Sequence, residues 1–110
     1  MMLFLHLLPG LFVLLIGFIL YSKPPKRINW IWGFRTHYSM RDEKNWHEGN
    51  RYYAKFILAI GFISLPVGLV CYYTLPLLPS LLVPIGIMLL LFMLSIYVTN
   101  EHLKRKFGDY

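Results

Sequence analysis

Two long stretches without a formal charge constrain this chain more than any other feature of its sequence. Every Lys, Arg, Asp and Glu lies either between Lys23 and Lys55 or after Asn100, which leaves residues 3–21 and 56–98 uncharged. Hydrophobic residues make up 57% of the 110-residue chain and charged residues only 15%. A soluble domain of this size is far less apolar. The sequence therefore predicts a chain embedded in a membrane.

The length of each apolar stretch sets the number of membrane spans. A helix rises about 1.5 Å per residue, so about 20 residues cross the hydrocarbon core. The first stretch predicts one span, whereas the second is about twice too long for one span and must fold back. Residues 74–80 predict the turn, because Pro76 and Pro79 lack an N–H and disfavour helix in the residue before them. We predict an all-α integral membrane protein that is a single membrane domain over 1–110, with spans at about 3–21, 54–73 and 81–98 and a loop at about 22–53.

A cleaved signal peptide is the alternative interpretation of the first apolar stretch. Its basic flank and small-residue cleavage motif are both missing, so we expect this stretch to be a span. The single cysteine, Cys71, excludes an intrachain disulfide framework and a cysteine-based metal cluster.

The distribution of basic residues predicts the orientation. Three of the eleven basic residues follow the third span, and eight lie between the first two spans: Lys23, Lys26, Arg27, Arg35, Arg41, Lys44, Arg51 and Lys55. The positive-inside rule then predicts an outside N-terminus and a cytoplasmic loop and C-terminus. The net charge of the chain is +6, and the basic residues that produce it flank the membrane spans. We therefore expect membrane lipids as partners and no nucleic acid.

The loop carries more specific patterns. Pro24 and Pro25 predict the end of the first helix. Aromatic residues follow with even spacing, which predicts an extended segment with its rings on one side at headgroup level: Trp30, Trp32, Phe34 and Tyr38. Ser39 and Asp42 resemble a capping box with a shorter acid, which predicts a helix start. From there, residues at intervals of three and four predict one face that continues into the second span: Trp46, Gly49, Asn50, Tyr53, Phe56 and Ile57.

The loop resembles a known family. The residues that carry the resemblance are Pro24-Pro25-Lys26-Arg27-Ile28-Asn29, Trp32-Gly33-Phe34-Arg35-Thr36, Ser39-Met40, Trp46 and Asn50. This order is similar to that of the SdpI-like membrane proteins, named for an immunity protein against a sporulation-delaying peptide toxin. The resemblance covers helix one, the loop and the beginning of helix two. The chain departs from the family at His37, where a proline is common, and at Gly49, where an alanine is common.

Arg35 is the first candidate for binding a ligand or partner. Its planar guanidinium can hold a phosphate or a carboxylate in two parallel hydrogen bonds, with Gly33 permitting close approach and Thr36 adding a hydroxyl. The alternative is another topogenic charge. We expect Asn29 and Asn50 to tie the loop to the helix ends. The full candidate set for ligand or partner binding is Asn29, Gly33, Arg35, Thr36, Ser39, Trp46 and Asn50, with Trp46 alternatively an interfacial anchor or a packing residue.

The sequence gives little support for a metal site, for catalysis or for a cofactor. His37, His47 and Glu48 offer metal-ligand types, but adjacent residues diverge on a helix, so we predict no metal site. A nucleophile with a base is not recognisable, and the spans contain no acidic residue, so we predict no enzyme, no catalytic residues and no cofactor. Within the spans, His6 predicts an interfacial or interhelical polar contact.

A second feature of the spans predicts close packing. Ser64 and Gly68 form a pair of small residues four apart, and Gly61 lies near the same face. Small residues at such spacing let the backbones of two membrane helices approach closely. We therefore predict that this face of helix two packs against another helix.

Three functions follow from these patterns. The resemblance implies a membrane immunity protein of the bacterial cell membrane, which binds a peptide toxin and also signals by holding a cytoplasmic repressor. The alternative is a small transporter or lipid-headgroup-binding protein that uses Arg35, and a third is a structural subunit of a larger membrane complex. Since three helices bury little surface, and larger relatives carry additional spans, we also expect a homodimer.

Overall fold

A computed structural model describes residues 2–29 and 31–108. These residues form three helices: α1 (Met2–Ser22), α2 (Glu43–Thr74) and α3 (Leu77–Phe107). Each helix is long and apolar enough to cross a membrane. The described residues contain no strand. The predicted all-α class with three spanning helices is therefore confirmed, and the chain is a multi-pass membrane protein.

Two of the helices are much longer than a bilayer requires. α2 has 32 residues and α3 has 31, which corresponds to about 45–50 Å of helix against a hydrocarbon core of about 30 Å. The molecule measures 48 Å along its longest axis. The excess lies at one end, before Ala54 in α2 and after Val98 in α3, where the charged residues are. These two projecting ends form a platform beside the loop of residues 23–42.

The turn between α2 and α3 is shorter than predicted. Only Leu75 and Pro76 separate the helices, and α3 already begins at Leu77, within the predicted turn 74–80 and before the predicted 81–98 span. Pro79 lies in the first turn of α3, where backbone N–H groups have no partner within the helix. A proline there removes no hydrogen bond, so it does not prevent the helix.

Both outer helices pack along α2 and scarcely contact each other. A buried apolar cluster joins all three, with Val13 from α1, Ile57 and Ile60 from α2, and Met88 from α3. α2 is therefore the central helix, and the other two depend on it.

Glycines bring the backbones of α1 and α2 close together. A Cβ placed on Gly61 would lie 2.9 Å from the backbone N of Leu14, and one on Gly68 would lie 2.7 Å from the carbonyl O of His6. Ser64 is buried between them and donates a hydrogen bond to the carbonyl of Ile60 at 2.7 Å. The close packing predicted for this face is confirmed, because backbone atoms occupy the space that side chains would need.

A polar contact joins the ends of α1 and α3 farthest from the loop. His6 is buried, and its Nε2 lies 2.7 Å from the Oγ of Ser80. The His6 ring also contacts the Tyr72 ring edge-on, with centroids 4.9 Å apart. The predicted interhelical role of His6 is confirmed, since it contacts both α2 and α3.

The glycine contacts lead to a test with a matched control. Gly61→Ala is expected to destabilise the protein by about 1–3 kcal/mol, because the new methyl meets backbone atoms of α1. Gly86→Ala adds the same methyl on α3, where nothing lies within 4 Å, and should be neutral or stabilise by up to about 1 kcal/mol. Unfolding in mixed micelles, followed by circular dichroism, measures both. Equal effects of the two substitutions would contradict the close α1–α2 contact.

Candidate functional site

The first part of the loop is attached to α2 by a buried tryptophan. α1 ends at Ser22, just before the two prolines, as predicted. Trp46 is completely buried, and its Nε1 donates a hydrogen bond to the carbonyl of Pro25 at 2.8 Å. Trp46 is therefore a packing residue that holds the chain leaving α1 against the projecting end of α2.

Asn50 connects the middle of the loop to the same helix. Its side chain is completely buried. The Oδ1 atom accepts a hydrogen bond from the backbone N–H of Phe34 at 2.7 Å, and Nδ2 donates to the carbonyl of Trp46 at 2.9 Å. One amide side chain thereby satisfies a loop donor and a helix acceptor that are both removed from water.

Gly33 is required beside this asparagine for two reasons. Its φ of +106° lies in the region that side chains rarely adopt. A Cβ on Gly33 would also lie 2.5 Å from the Oδ1 of Asn50 and 2.8 Å from the ring of Pro25. Gly33 was predicted to permit close approach of a ligand, whereas the atoms that approach it belong to Asn50 and Pro25 of this chain.

A second set of hydrogen bonds closes the loop around residues 34–39. Ser39 is completely buried, and its hydroxyl donates to the carbonyl of Phe34 at 2.7 Å and accepts from the N–H of Thr36 at 2.8 Å. The Thr36 hydroxyl donates to the Oδ1 of Asn100 on α3 at 2.8 Å. The loop is therefore attached to both projecting helix ends.

This use of Ser39 corrects the predicted helix start. The N-cap of α2 is Asp42, whose carboxylate accepts a hydrogen bond from the N–H of Asn45 at 2.8 Å. The capping-box interpretation was therefore wrong in its register, because the Ser39 hydroxyl is already used within the loop. The prediction that the helix from this region continues into the second span is confirmed, since α2 runs unbroken from Glu43 to Thr74.

The predicted row of aromatic residues does not form. Residues 31–40 consist largely of bends and turns, so alternate side chains do not share one side. Phe34 is buried and packs on the Tyr53 ring with centroids 4.4 Å apart, whereas Trp32 and Tyr38 are half-buried. Trp30 lies outside the described residues. The Phe34 ring therefore points inward and packs against α2.

Gly49, a departure from the family pattern, lies under the loop. A Cβ there would be 3.2 Å from Leu103 of α3, 3.3 Å from the Cβ of Ser39 and 3.4 Å from the Phe34 ring. The glycine therefore allows the loop and α3 to pack closely on α2.

Asn29 lies apart from this cluster. Its Oδ1 accepts hydrogen bonds from the N–H groups of Ile31 at 2.9 Å and Trp32 at 2.7 Å, and its Nδ2 donates to the carbonyl of Arg27 at 3.0 Å. These contacts form a local Asx turn. Asn29 thus shapes the outer part of the loop and does not reach a helix end.

A buried carboxylate, Glu48, joins α2 to α3. Glu48 is only 8% exposed, and its carboxylate lies 2.6 Å from His102 Nε2, 2.8 Å from Arg51 Nη2 and 3.3 Å from Lys106 Nζ. The His102 ring stacks flat on Tyr52 at 4.0 Å. Glu48 precedes the apolar part of α2 by more than a turn, so it lies outside the predicted span.

The surroundings of Glu48 determine its protonation. Burial by itself raises the pKa of this carboxyl group, but hydrogen bonds from His102 and Arg51, the charge of Arg51 and the contact with Lys106 lower the pKa to about 2. The i,i+3 spacing of Glu48 and Arg51 was a sequence signal for part of this network. No spacing in the sequence indicated that His102 and Lys106 of α3 would also contact Glu48. Among the described residues, no three potential ligands converge on a metal position.

Arg35 occupies a different position from the other candidates. It is exposed and lines an open pocket of about 490 Å³ together with Ile28, Thr36, His37, Met40 and Arg41. Gly33, Ser39, Trp46 and Asn50 instead pack against this chain itself. The structure therefore separates the predicted set into a buried scaffold, hereafter the loop scaffold (Gly33, Ser39, Trp46 and Asn50), and a surface that contains Arg35 and Thr36.

Comparisons with known proteins match this region. The model of the SdpI/YfhL protein family matches residues 26–99. The uncharacterized protein YfhL of Bacillus subtilis (strain 168) is 36% identical over 63 residues, which is 57% of this chain and 57% of that relative. The chain thus matches little more than half the length of that curated relative. No solved structure matches the chain.

The extent of the family match differs from the resemblance noted in the sequence. It begins after α1 and continues through α2 and most of α3. The loop scaffold and Arg35 lie inside the matched range, whereas His102 and Lys106, which bind Glu48, lie beyond it.

The buried asparagine supports a test of the loop scaffold. Asn50→Ala leaves the N–H of Phe34 without its partner and should cost about 1–3 kcal/mol of stability. Cleavage by trypsin at Arg35 and Arg41 in detergent should accelerate as the loop detaches. Asn29→Ala is the matched control, since Asn29 contacts only the outer loop. Equally fast cleavage of both variants would contradict the role of Asn50.

The lowered pKa of Glu48 predicts a pH dependence. The carboxylate is favoured in the folded state, so its contribution to the free energy of unfolding is complete above about pH 4.5 and is lost as the pH falls toward about 2. Glu48→Gln should lower stability at neutral pH and remove this part of the acid sensitivity. Thermal unfolding in detergent across this range measures it. Parallel curves for the two proteins would contradict the assignment.

Proposed function

Because the chain belongs to the SdpI/YfhL protein family, we propose that it is a membrane immunity protein that protects a bacterial cell from a membrane-active peptide toxin. Membership supports an immunity-type function for the family as a whole. The observation that carries the proposal to this chain is that the family match includes the entire loop scaffold and the surface beside it. This family is not known for enzymatic activity.

The loop scaffold suits a recognition surface. Buried hydrogen bonds from Asn50 and Ser39 hold the backbone of Phe34, next to Arg35. On the other side of Arg35, the Thr36 hydroxyl donates to Asn100 of α3. A surface held in this way loses little conformational freedom when it binds. Arg35 then presents a planar donor group at a pocket of about 490 Å³, where it would pair with a carboxylate of a peptide.

We also propose the orientation that the basic residues predict. The loop and the end of α3 would face the cytoplasm, and the α2–α3 turn would face outward. A toxin within the bilayer would then be captured at the cytoplasmic interface. The same loop surface would hold a cytoplasmic repressor when the toxin is present, which would couple protection to signalling.

A second candidate function is supported by the same pocket. A transporter or headgroup-binding protein that uses Arg35 requires an open cavity beside the loop, and the pocket lined by Arg35 and Arg41 meets that requirement. This function predicts that an anionic solute stabilises the purified protein against heat in a manner that depends on Arg35. The immunity function does not predict that a small anionic solute stabilises the protein against heat.

Survival of a toxin-sensitive bacterium tests the main proposal. Cells that express this chain should survive a challenge with the family's type of membrane-active peptide toxin, and Arg35→Ala should abolish most of the protection. Arg27→Ala is the matched control, because Arg27 is an exposed arginine in the same loop that lies outside the Arg35 pocket. Membrane abundance of each variant is measured by immunoblot.

The possible outcomes of this survival test either support or contradict recognition of the toxin through the Arg35 pocket. Protection lost in Arg35→Ala but kept in Arg27→Ala supports recognition through the pocket. Equal loss in both variants would indicate that only the charge of the loop matters. If the unaltered chain gives no protection against any such peptide, the immunity function is wrong for this family member.

A further inference from the structure

We propose that the junction of α1 and α2 binds the phosphate group of an anionic phospholipid. The site is a second open pocket, of about 470 Å³, whose lining includes Tyr21, Pro24, Pro25, His47, Arg51 and Lys55. Asn50 completes the lining, and the pocket shares no lining residue with the Arg35 pocket. The proposal does not depend on toxin immunity.

The position of this pocket along the helices matches the height of lipid phosphates. Tyr21 is the last residue of the first apolar stretch, and Lys55 immediately precedes the second. Tyrosine is enriched where hydrocarbon meets water, and lysine extends its ammonium group toward the headgroups from such positions. The pocket therefore lies at the boundary of the hydrocarbon core, where phosphodiesters are concentrated.

Basic side chains line one wall of the pocket, and the nearest carboxylate to His47 is that of Glu43, 3.5 Å from its Nε2. His47, Arg51 and Lys55 follow one another at intervals of four residues, so they lie on one face of α2. None of the described residues that line the pocket is acidic. Basic pockets between membrane helices are typical binding sites for anionic headgroups.

Glu48 orients Arg51 without occupying this pocket. Its carboxylate binds Nε and Nη2 of Arg51, while Nη1 has no hydrogen bond to any described residue. The Arg51 side chain remains 53% exposed. The guanidinium is thus held along one edge by Glu48 of the same helix and has a donor left for a second anion.

The wall opposite the basic residues is rigid. Pro24 and Pro25 have restricted backbones, and the carbonyl of Pro25 accepts the hydrogen bond from buried Trp46. The pocket is consequently formed before a ligand arrives, which reduces the entropy lost on binding.

Exposed apolar surface next to the pocket favours a lipid over free phosphate as the occupant. Phe18 lies one turn from Tyr21 on α1, and Phe62 lies two turns from Lys55 on α2. Both side chains are 64% exposed. Acyl chains attached to a phosphate in the pocket would pack along these residues, whereas inorganic phosphate would gain nothing from them.

The test measures binding to the 110-residue chain after lipid removal in detergent. Phosphatidylglycerol should raise the unfolding temperature, while phosphatidylcholine and inorganic phosphate should not raise it comparably. Lys55→Gln removes one exposed charge from the pocket, and its apparent affinity for phosphatidylglycerol should fall about fivefold. Lys44→Gln is the matched control, since Lys44 is an exposed lysine on the same helix outside this pocket.

Each outcome decides the proposal. A fivefold loss in Lys55→Gln with unchanged binding in Lys44→Gln supports the site. Equal losses in both variants would show attraction to the charged surface in general and overturn it. A shift with inorganic phosphate as large as that with phosphatidylglycerol would overturn the lipid assignment, and an equal shift with phosphatidylcholine would overturn the requirement for an anion.

Discussion

The hydrogen bonds of the Asn50 side chain hold the loop against α2 and fix the conformation on which the candidate site depends. A loop that folds against helices buries backbone groups, and each buried group needs a partner. Asn50 supplies an acceptor to the loop and a donor to its own helix from a completely buried position. Gly33 must be a glycine because this amide lies where its Cβ would be. The loop conformation, and therefore the position of Arg35, follows from this contact.

The platform that receives the loop exists because α2 and α3 exceed the thickness of the membrane. Their projecting ends carry polar residues that would have no place in hydrocarbon, and these residues bind one another and the loop. Glu48 joins α2 to His102 and Lys106 of α3, and Thr36 joins the loop to Asn100 of α3. α2 and α3 thus run without a break from the apolar spans, which suit hydrocarbon, into the polar platform, which suits water.

This arrangement gives several of the residues that carry the resemblance to the SdpI-like family a packing role in place of direct contact with a ligand. Four of them form the loop scaffold and pack against this chain itself, so their effect on a ligand would come through the backbone they position. Arg35 and Thr36 are the candidates that line the open pocket. A loop with so many internal hydrogen bonds is better suited to present a fixed surface than to close over a substrate.

Much of the fold follows from the sequence alone. The uncharged stretches determined three spanning helices, since only a helix satisfies its backbone within hydrocarbon, and the glycines around Gly61 indicated where two helices approach. The sequence also showed that the second helix starts before its span.

The remaining features became visible only in the folded chain, because they depend on which contacts each residue makes there. The short α2–α3 turn reflects the tolerance of a first helical turn for Pro79. Ser39 is not the helix cap because Phe34 and Thr36 use its hydroxyl. The low pKa of Glu48 requires partners more than fifty residues away. The sequence pattern along each segment specifies the helices and whether hydrocarbon or water surrounds them. Contacts between the loop and the helices specify which polar side chains are buried and which stay exposed and able to bind a ligand.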